Sequence, residues 1–199
     1  LVSSSLEQNA IERGLDCLAR FAQLLDSVEP SRVRVVGTNA LRQAKNRQSF
    51  IEPAEELLKV PIDIVYGREE ARLVYLGVAH TLADDKNSRL VVDIGGGSTE
   101  FIVGRQFEPV RLASLQLGCV SYAKSFFPNG EIAKPNYNRA YERAISEVSH
   151  IGSGYHASEW SESVGSSGTL RAIETLIKAE GWRDSGIDRD SLERSRKGL

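Results

Sequence analysis

Two acids and a run of glycines lie within eight residues of one another: Asp93, Gly95, Gly96, Gly97, Ser98 and Glu100. Apolar residues flank them, from Leu90 to Val92 and from Phe101 to Val103. The pattern reads as strand, tight turn, strand. Glycine permits the positive φ expected of such a turn and lets a ligand reach the backbone. Amides in the turn can cradle phosphate oxygens. Asp93, at the strand end, is placed to hold a hard cation such as Mg²⁺, which prefers oxygen ligands.

Two other glycine signatures are excluded by spacing. A dinucleotide turn needs G-x-G-x-x-G leading into a helix, and a P-loop needs a lysine after its last glycine. Here Ser98 and Thr99 follow the glycines, and then apolar, partly β-branched residues that favour a strand. A phosphate-binding β-hairpin is the reading that remains, against an ordinary hairpin with a glycine bulge. Three consecutive glycines weaken a strand unless something approaches them closely.

Two further strand ends are punctuated in the same way. Gly37-Thr38-Asn39 closes one, and Gly165-Ser166-Ser167-Gly168-Thr169 closes another and leads into a helix. Ligands of open α/β sheets collect beyond the carboxyl ends of strands, and a helix start favours an anion. Arg42 follows Gly37 by about one helical turn, and its planar fork suits phosphate oxygens. Glu69 and Glu70 follow Gly67. Acids in a first turn complement the helix dipole, and a glutamate beside a metal-bound phosphate can also orient or deprotonate an attacking water.

The elements that position these groups follow from periodicity. Ile11, Leu15, Leu18, Phe21, Leu24 and Leu25 predict an amphipathic helix, with its cap within Ser3–Ser5. Val33 to Val36 and Ile62 to Tyr66 predict strands. Helices are expected from Thr38 or Asn39 to Ala44, from Phe50 to Leu58, and from Glu69 through Val78. A polar connector, 84–89, is the expected domain boundary. Beyond the hairpin, 109–117 is expected as a strand, Val120 to Phe127 and Tyr137 to Val148 as helices, Ser163-Val164 as a strand end, and Leu170 to Ala179 as a helix. The stretch from Gly181 onward carries no assignment.

Composition bounds the answer. The chain has 199 residues and a formal net charge of −2, which argues against a nucleic-acid stripe or a membrane-surface patch. No long apolar run or signal-peptide pattern is present. Cys17 and Cys119 sit in apolar patterns and are expected as buried free thiols of a cytoplasmic protein. His80, His150 and His156 are scattered and expected on surfaces or loops. The chain has no methionine and opens on Leu1, which reads as an incomplete sequence.

Taken together, five segments resemble the exopolyphosphatase / guanosine pentaphosphate phosphohydrolase family: Gly37-Thr38-Asn39-Ala40-Leu41-Arg42-Gln43-Ala44, Gly67 to Leu73, Asp93 to Glu100, Gly118-Cys119-Val120-Ser121 and Gly165 to Thr169. They occur in order and span most of residues 6–182. The resemblance implies an α/β, actin-like fold of two ribonuclease H-like domains with a cleft between them. Residues 1–85 would be the end of the first domain and 86–199 the second. It implies Glu70 as catalytic base on water and Asp93 and Glu100 as acids tied to Mg²⁺. It implies phosphate binding by Gly95, Gly96, Gly97, Ser98 and Arg42, and by Gly165, Ser166, Gly168 and Thr169, where related kinases hold adenosine.

The implied activity is Mg²⁺-dependent release of terminal phosphate from inorganic polyphosphate. The alternatives are hydrolysis of guanosine pentaphosphate and non-catalytic binding of guanosine tetraphosphate; a sugar kinase or filament protein would share the fold. Gly97 and the Gly-Thr-Asn-Ala-Leu-Arg wording lean to the polyphosphatase branch. Neither nucleic acid nor an integral membrane contact is implied, and a homodimer of the intact protein is compatible. The family's first Asp-Ile-Gly-Ser-Asn-Ser-like turn is absent from this chain, so the fragment by itself is expected to be inactive.

Overall fold

The computed structural model describes residues 5–83 and 86–198. The chain divides into two compact units, Leu1–Tyr66 and Gly67–Leu199. The division falls ahead of the polar connector. Among the described residues, no helix is long and apolar enough to cross a membrane.

In the first unit, α1 (Gln8–Leu25) packs against α3 (Gln48–Leu58). Between them in sequence come β1 (Val35–Gly37) and the single turn of α2 (Asn39–Gln43), and β2 (Ile62–Ile64) follows. The two strands pair in parallel, Val35 opposite Ile62. Ile51, Ala54 and Ile62 form the core, with Leu15, Leu18, Val35 and Phe50 packed on it. The start of α1 differs from the serine cap read in the sequence. Its N-cap is Glu7, which makes no side-chain bond, and Ser3 and Ser4 lie outside the described residues. Asn46 holds the entry instead: its Oδ1 accepts from the Leu6 amide at 2.7 Å, and its Nδ2 donates to the Leu6 carbonyl at 3.0 Å.

The second unit is built on a four-stranded sheet in the order β5-β4-β3-β6. Its strands are β3 (Ser88–Ile94), β4 (Thr99–Arg105), β5 (Glu108–Leu115) and β6 (Glu162–Ser166). β3, β4 and β5 form an antiparallel meander, and β6 lies parallel to β3. Arg89, at the end of the connector, is instead a buried strand residue paired with Glu162.

Directly opposite residues share a face of the sheet. Leu112, Ile102, Val91 and Val164 therefore form one row on one face. Helix α4 (Gly67–Ala79) covers that row with Ala71, Tyr75 and Ala79, at the helical spacing that buries one stripe. Tyr75 is 1 % exposed, and its hydroxyl donates to the Gln106 carbonyl at 3.0 Å. The ring lies over Gly104, where an added Cβ would sit 2.6 Å from Cε2.

The remaining helices are α5 (Cys119–Phe126), α6 (Lys134–Gly152), α7 (Ser167–Ala179) and α8 (Arg189–Lys197). α8 was not legible in the sequence because its charged residues give little apolar periodicity. A capping box fixes it: the Asp188 side chain accepts from the Ser191 amide at 2.8 Å, and Ser191 Oγ accepts from the Asp188 amide at 3.1 Å. Cys17 and Cys119 are free thiols but exposed, not buried. Cys17 lies on the polar side of α1, and Cys119 is the first residue of α5, where little covers it.

Gly104→Ala is expected to destabilise the second unit by about 1–3 kcal/mol, because the new methyl forces Tyr75 out of its place. Chemical denaturation against wild type checks this.

Candidate functional site

The row one step nearer the carboxyl end of β3 is entirely polar. Ser114 on β5 is opposite Glu100 on β4, Glu100 is opposite Asp93 on β3, and Asp93 is opposite Ser166 on β6. These four residues share the face that α4 covers. The first turn of α4 lies at this row: an added Cβ on Gly67 would stand 2.5 Å from Ser114 Oγ.

The two acids of that turn have different environments. Glu69 is engaged by Arg72 at 2.7 and 2.8 Å, a two-point pair that holds its carboxyl below the ordinary range. Glu70 instead acts electrostatically on Glu100. Glu70 thus lies within electrostatic reach of Glu100, which stands opposite Asp93.

Glu100 is 2 % exposed, and Ser114 donates to its Oε1 at 2.8 Å. Burial pushes the Glu100 carboxyl up. Hydrogen bonds from Ser114 and Ser98 oppose that rise, and the charges of Glu70 and Asp93 add to it. Like charges directly opposite on neighbouring strands repel, so the pair is costly to keep.

The glycine turn forms the hairpin read in the sequence, closed by the Gly95 amide on the Ser98 carbonyl at 3.0 Å. One expectation fails. None of Gly95, Gly96 and Gly97 adopts a positive φ. The constraint is close approach instead. The Gly95 carbonyl accepts from the Cys119 amide at 3.0 Å, and the Gly96 carbonyl accepts from Val120 at 3.0 Å and Ser121 at 2.9 Å. The turn therefore caps α5. Gly118 lies so near that an added Cβ would overlap the backbone of Gly96 and Gly97.

This capping orients the remaining amides. A trans peptide plane points its N–H opposite to its C=O. With the Gly95 and Gly96 carbonyls aimed at α5, the amides of Gly96 and Gly97 point away from it. Among the described residues, neither meets an acceptor within the protein. Two neighbouring donors facing the same way form a cradle for an anion. Ser98 and Thr99 are buried beneath, with Thr99 Oγ1 donating to the Leu117 carbonyl.

The third glycine segment reaches the same edge, because β6 runs parallel to β3. Ser166 is the N-cap of α7 without a side-chain capping bond, and Ser167 follows at φ +75°. Such a conformation is strained for a residue with a side chain. Gly165 lies under Leu170, whereas nothing stands within 4 Å of an added Cβ at Gly168. Thr169 is half-buried in the first turn of α7. A cavity of about 340 Å³ opens between Asp93, Ser166, Ser167 and Arg171 on one side and Val74 and Val78 of α4 on the other.

Arg42 belongs to the first unit, where its Nη1 donates to the Val65 carbonyl at 2.6 Å and ties α2 to the end of β2. The three histidines are exposed, as expected. Sequence reasoning missed Ser114 and Arg171. A lone hydroxyl in the apolar stretch 109–117 was the signal for Ser114; Arg171 looked like any surface arginine. Among the described residues, no group of three His, Cys, Asp or Glu is spaced to hold a metal ion by itself.

The α/β fold is shared with a solved exopolyphosphatase of Cytophaga hutchinsonii, at TM-score 0.83 and 22 % identity over 98 % of this chain and 65 % of that one. The chain belongs to the Ppx/GppA phosphatase family, whose model matches residues 2–198. It is 42 % identical over 172 residues to a Haemophilus influenzae protein named "Putative exopolyphosphatase", covering 86 % of this chain and 53 % of that one. It is 40 % identical over 194 residues to a guanosine-5′-triphosphate,3′-diphosphate pyrophosphatase of Vibrio parahaemolyticus, covering 98 % of this chain and 39 % of that one. The chain thus spans about half or less of these relatives. Among solved structures, the Aquifex aeolicus PPX-GPPA enzyme matches with TM-score 0.68 and 27 % identity, over 88 % of this chain and 56 % of that one.

The raised carboxyl of Glu100 sets a pH dependence of stability. An acid that holds its proton more tightly when folded destabilises the fold as it ionises, and that cost vanishes in acid. In metal-free buffer, Glu100→Gln is expected to be more stable than wild type at about pH 7.5, with the gap shrinking toward about pH 4. Denaturation at the two pH values checks the sign.

Proposed function

We propose that the protein carrying this chain hydrolyses terminal phosphoanhydride bonds, with inorganic polyphosphate as substrate. The observation that carries the reading is the convergence of Glu70 on the Asp93–Glu100 pair, beside two turn amides that face away from α5. In this reading the amides of Gly96 and Gly97, with the Ser98 backbone amide, hold the terminal phosphoryl group. The α7 start, with Gly165, Ser166, Gly168 and Thr169, lines the same sheet edge and takes further phosphates. Glu70 orients a water and takes its proton as the water oxygen bonds to phosphorus. The bond to the bridging oxygen breaks, and the shortened chain leaves. Such transfer depends mainly on positioning and charge stabilisation.

The donor set beside the turn fits Mg²⁺. Every donor is oxygen, and Mg²⁺ uses one or two carboxylates plus waters and substrate phosphates rather than an all-protein cage. Asp93 and Glu100 would hold it. The ion would supply charge neutralisation on the phosphate oxygens.

A second reading, guanosine pentaphosphate hydrolysis, draws support from relatives bearing that name and from the cavity beside Asp93. That cavity has an apolar wall on α4 and a polar one at Ser166, Ser167 and Arg171, which suits a nucleoside. A non-catalytic sensor would have no use for the acids at Glu70, Asp93 and Glu100.

Phosphate release with Mg²⁺, comparing long polyphosphate with guanosine pentaphosphate at matched concentration, is expected to be faster from polyphosphate. Faster release from the nucleotide selects the second reading, and none from either selects the sensor. Glu70→Gln is expected to lower release about 100-fold or more with its melting temperature unchanged. A wild-type rate in that variant removes Glu70 from the chemistry.

A further inference from the structure

We infer that Ser114 is a positioning residue, whose hydroxyl fixes Glu100 and whose place under Gly67 sets the start of α4 against the acid pair; this rests on the phosphohydrolase reading above. Ser114 makes two contacts that no neighbouring strand residue makes. Its Oγ donates to Glu100 Oε1 at 2.8 Å. Its Cβ and Oγ also fill the space beneath Gly67, where an added methyl carbon would stand 2.6 and 2.5 Å from them.

The first contact matters because it is one of two hydroxyl bonds, from Ser114 and Ser98, that orient Glu100. Glu100 is 2 % exposed, so water does not order it. Its Oε1 accepts from Ser114, and the charges of Glu70 and Asp93 act on the same carboxyl. Without the Ser114 donor only the Ser98 bond restrains the carboxyl, and a single bond does not fix its rotation about the last side-chain bond.

The second contact matters because α4 carries Glu70 three residues after Gly67. The helix is rigid over that turn and clamped further along by Tyr75 against Gly104. The side chain at 114 therefore sets how closely the first turn approaches the sheet. A displacement of about 1 Å at a reacting group costs up to about 100-fold in rate.

The test uses the protein that carries this chain and measures kcat and KM for polyphosphate separately. Ser114→Ala is expected to lower kcat about tenfold with KM within about twofold of wild type, since the hydroxyl contacts Glu100 and not the substrate. Ser114→Thr and Ser114→Val have the same shape and differ in the hydroxyl alone. Any crowding against Gly67 is common to both, so Thr is expected to exceed Val about tenfold in kcat. Wild-type kcat in Ser114→Ala, or equal rates for Thr and Val, overturns the inference and leaves the phosphohydrolase reading standing. A wild-type protein that releases no phosphate from either substrate overturns both.

Discussion

Asp93 and Glu100 face each other across β3 and β4. Two carboxylates in that register repel, and one of them is almost wholly shielded from water. A sheet selected for stability alone would place apolar residues there, as the next row does with Leu112, Ile102, Val91 and Val164. The acid pair has to be held in place by its surroundings. Ser114 and Ser98 donate to Glu100, and the apolar row beside it is sealed by α4. The core under Tyr75 and the site under Glu70 are therefore neighbouring rows of one face, covered by one helix.

The glycine turn belongs to the same arrangement. Its carbonyls cap α5, which fixes the turn and orients the Gly96 and Gly97 amides to the opposite side. The sequence was read correctly as a hairpin, and of its two reasons for glycine the positive φ fails. The close approach is to Gly118, where an added Cβ would overlap the backbone of Gly96 and Gly97. A close approach between segments about twenty residues apart leaves no mark in local propensity, so only tertiary packing reveals it.

Much of the site was legible because its chemistry is local. Asp93 to Glu100 lie on one hairpin, and period-two patterning fixes which of them share a face. The parallel pairing of β6 with β3, which brings Ser166 opposite Asp93, rested on a short strand with little apolar signal. The pairing of Glu69 with Arg72 also needed coordinates, since it is one of many i, i+3 pairs a sequence offers. Ser114 was invisible for a related reason: its partner lies across a strand register. Helix α8 escaped because a side-chain cap, not an apolar face, announces it.

Under the proposed function, the turn amides beside the acid pair form the phosphate seat. The most direct measurement is a ¹⁵N amide titration of this chain with tripolyphosphate and Mg²⁺. The Gly96, Gly97 and Ser98 resonances are expected to shift first and furthest, with the start of α7 following. Shifts confined to other parts of the chain, or none at saturating tripolyphosphate, would contradict it.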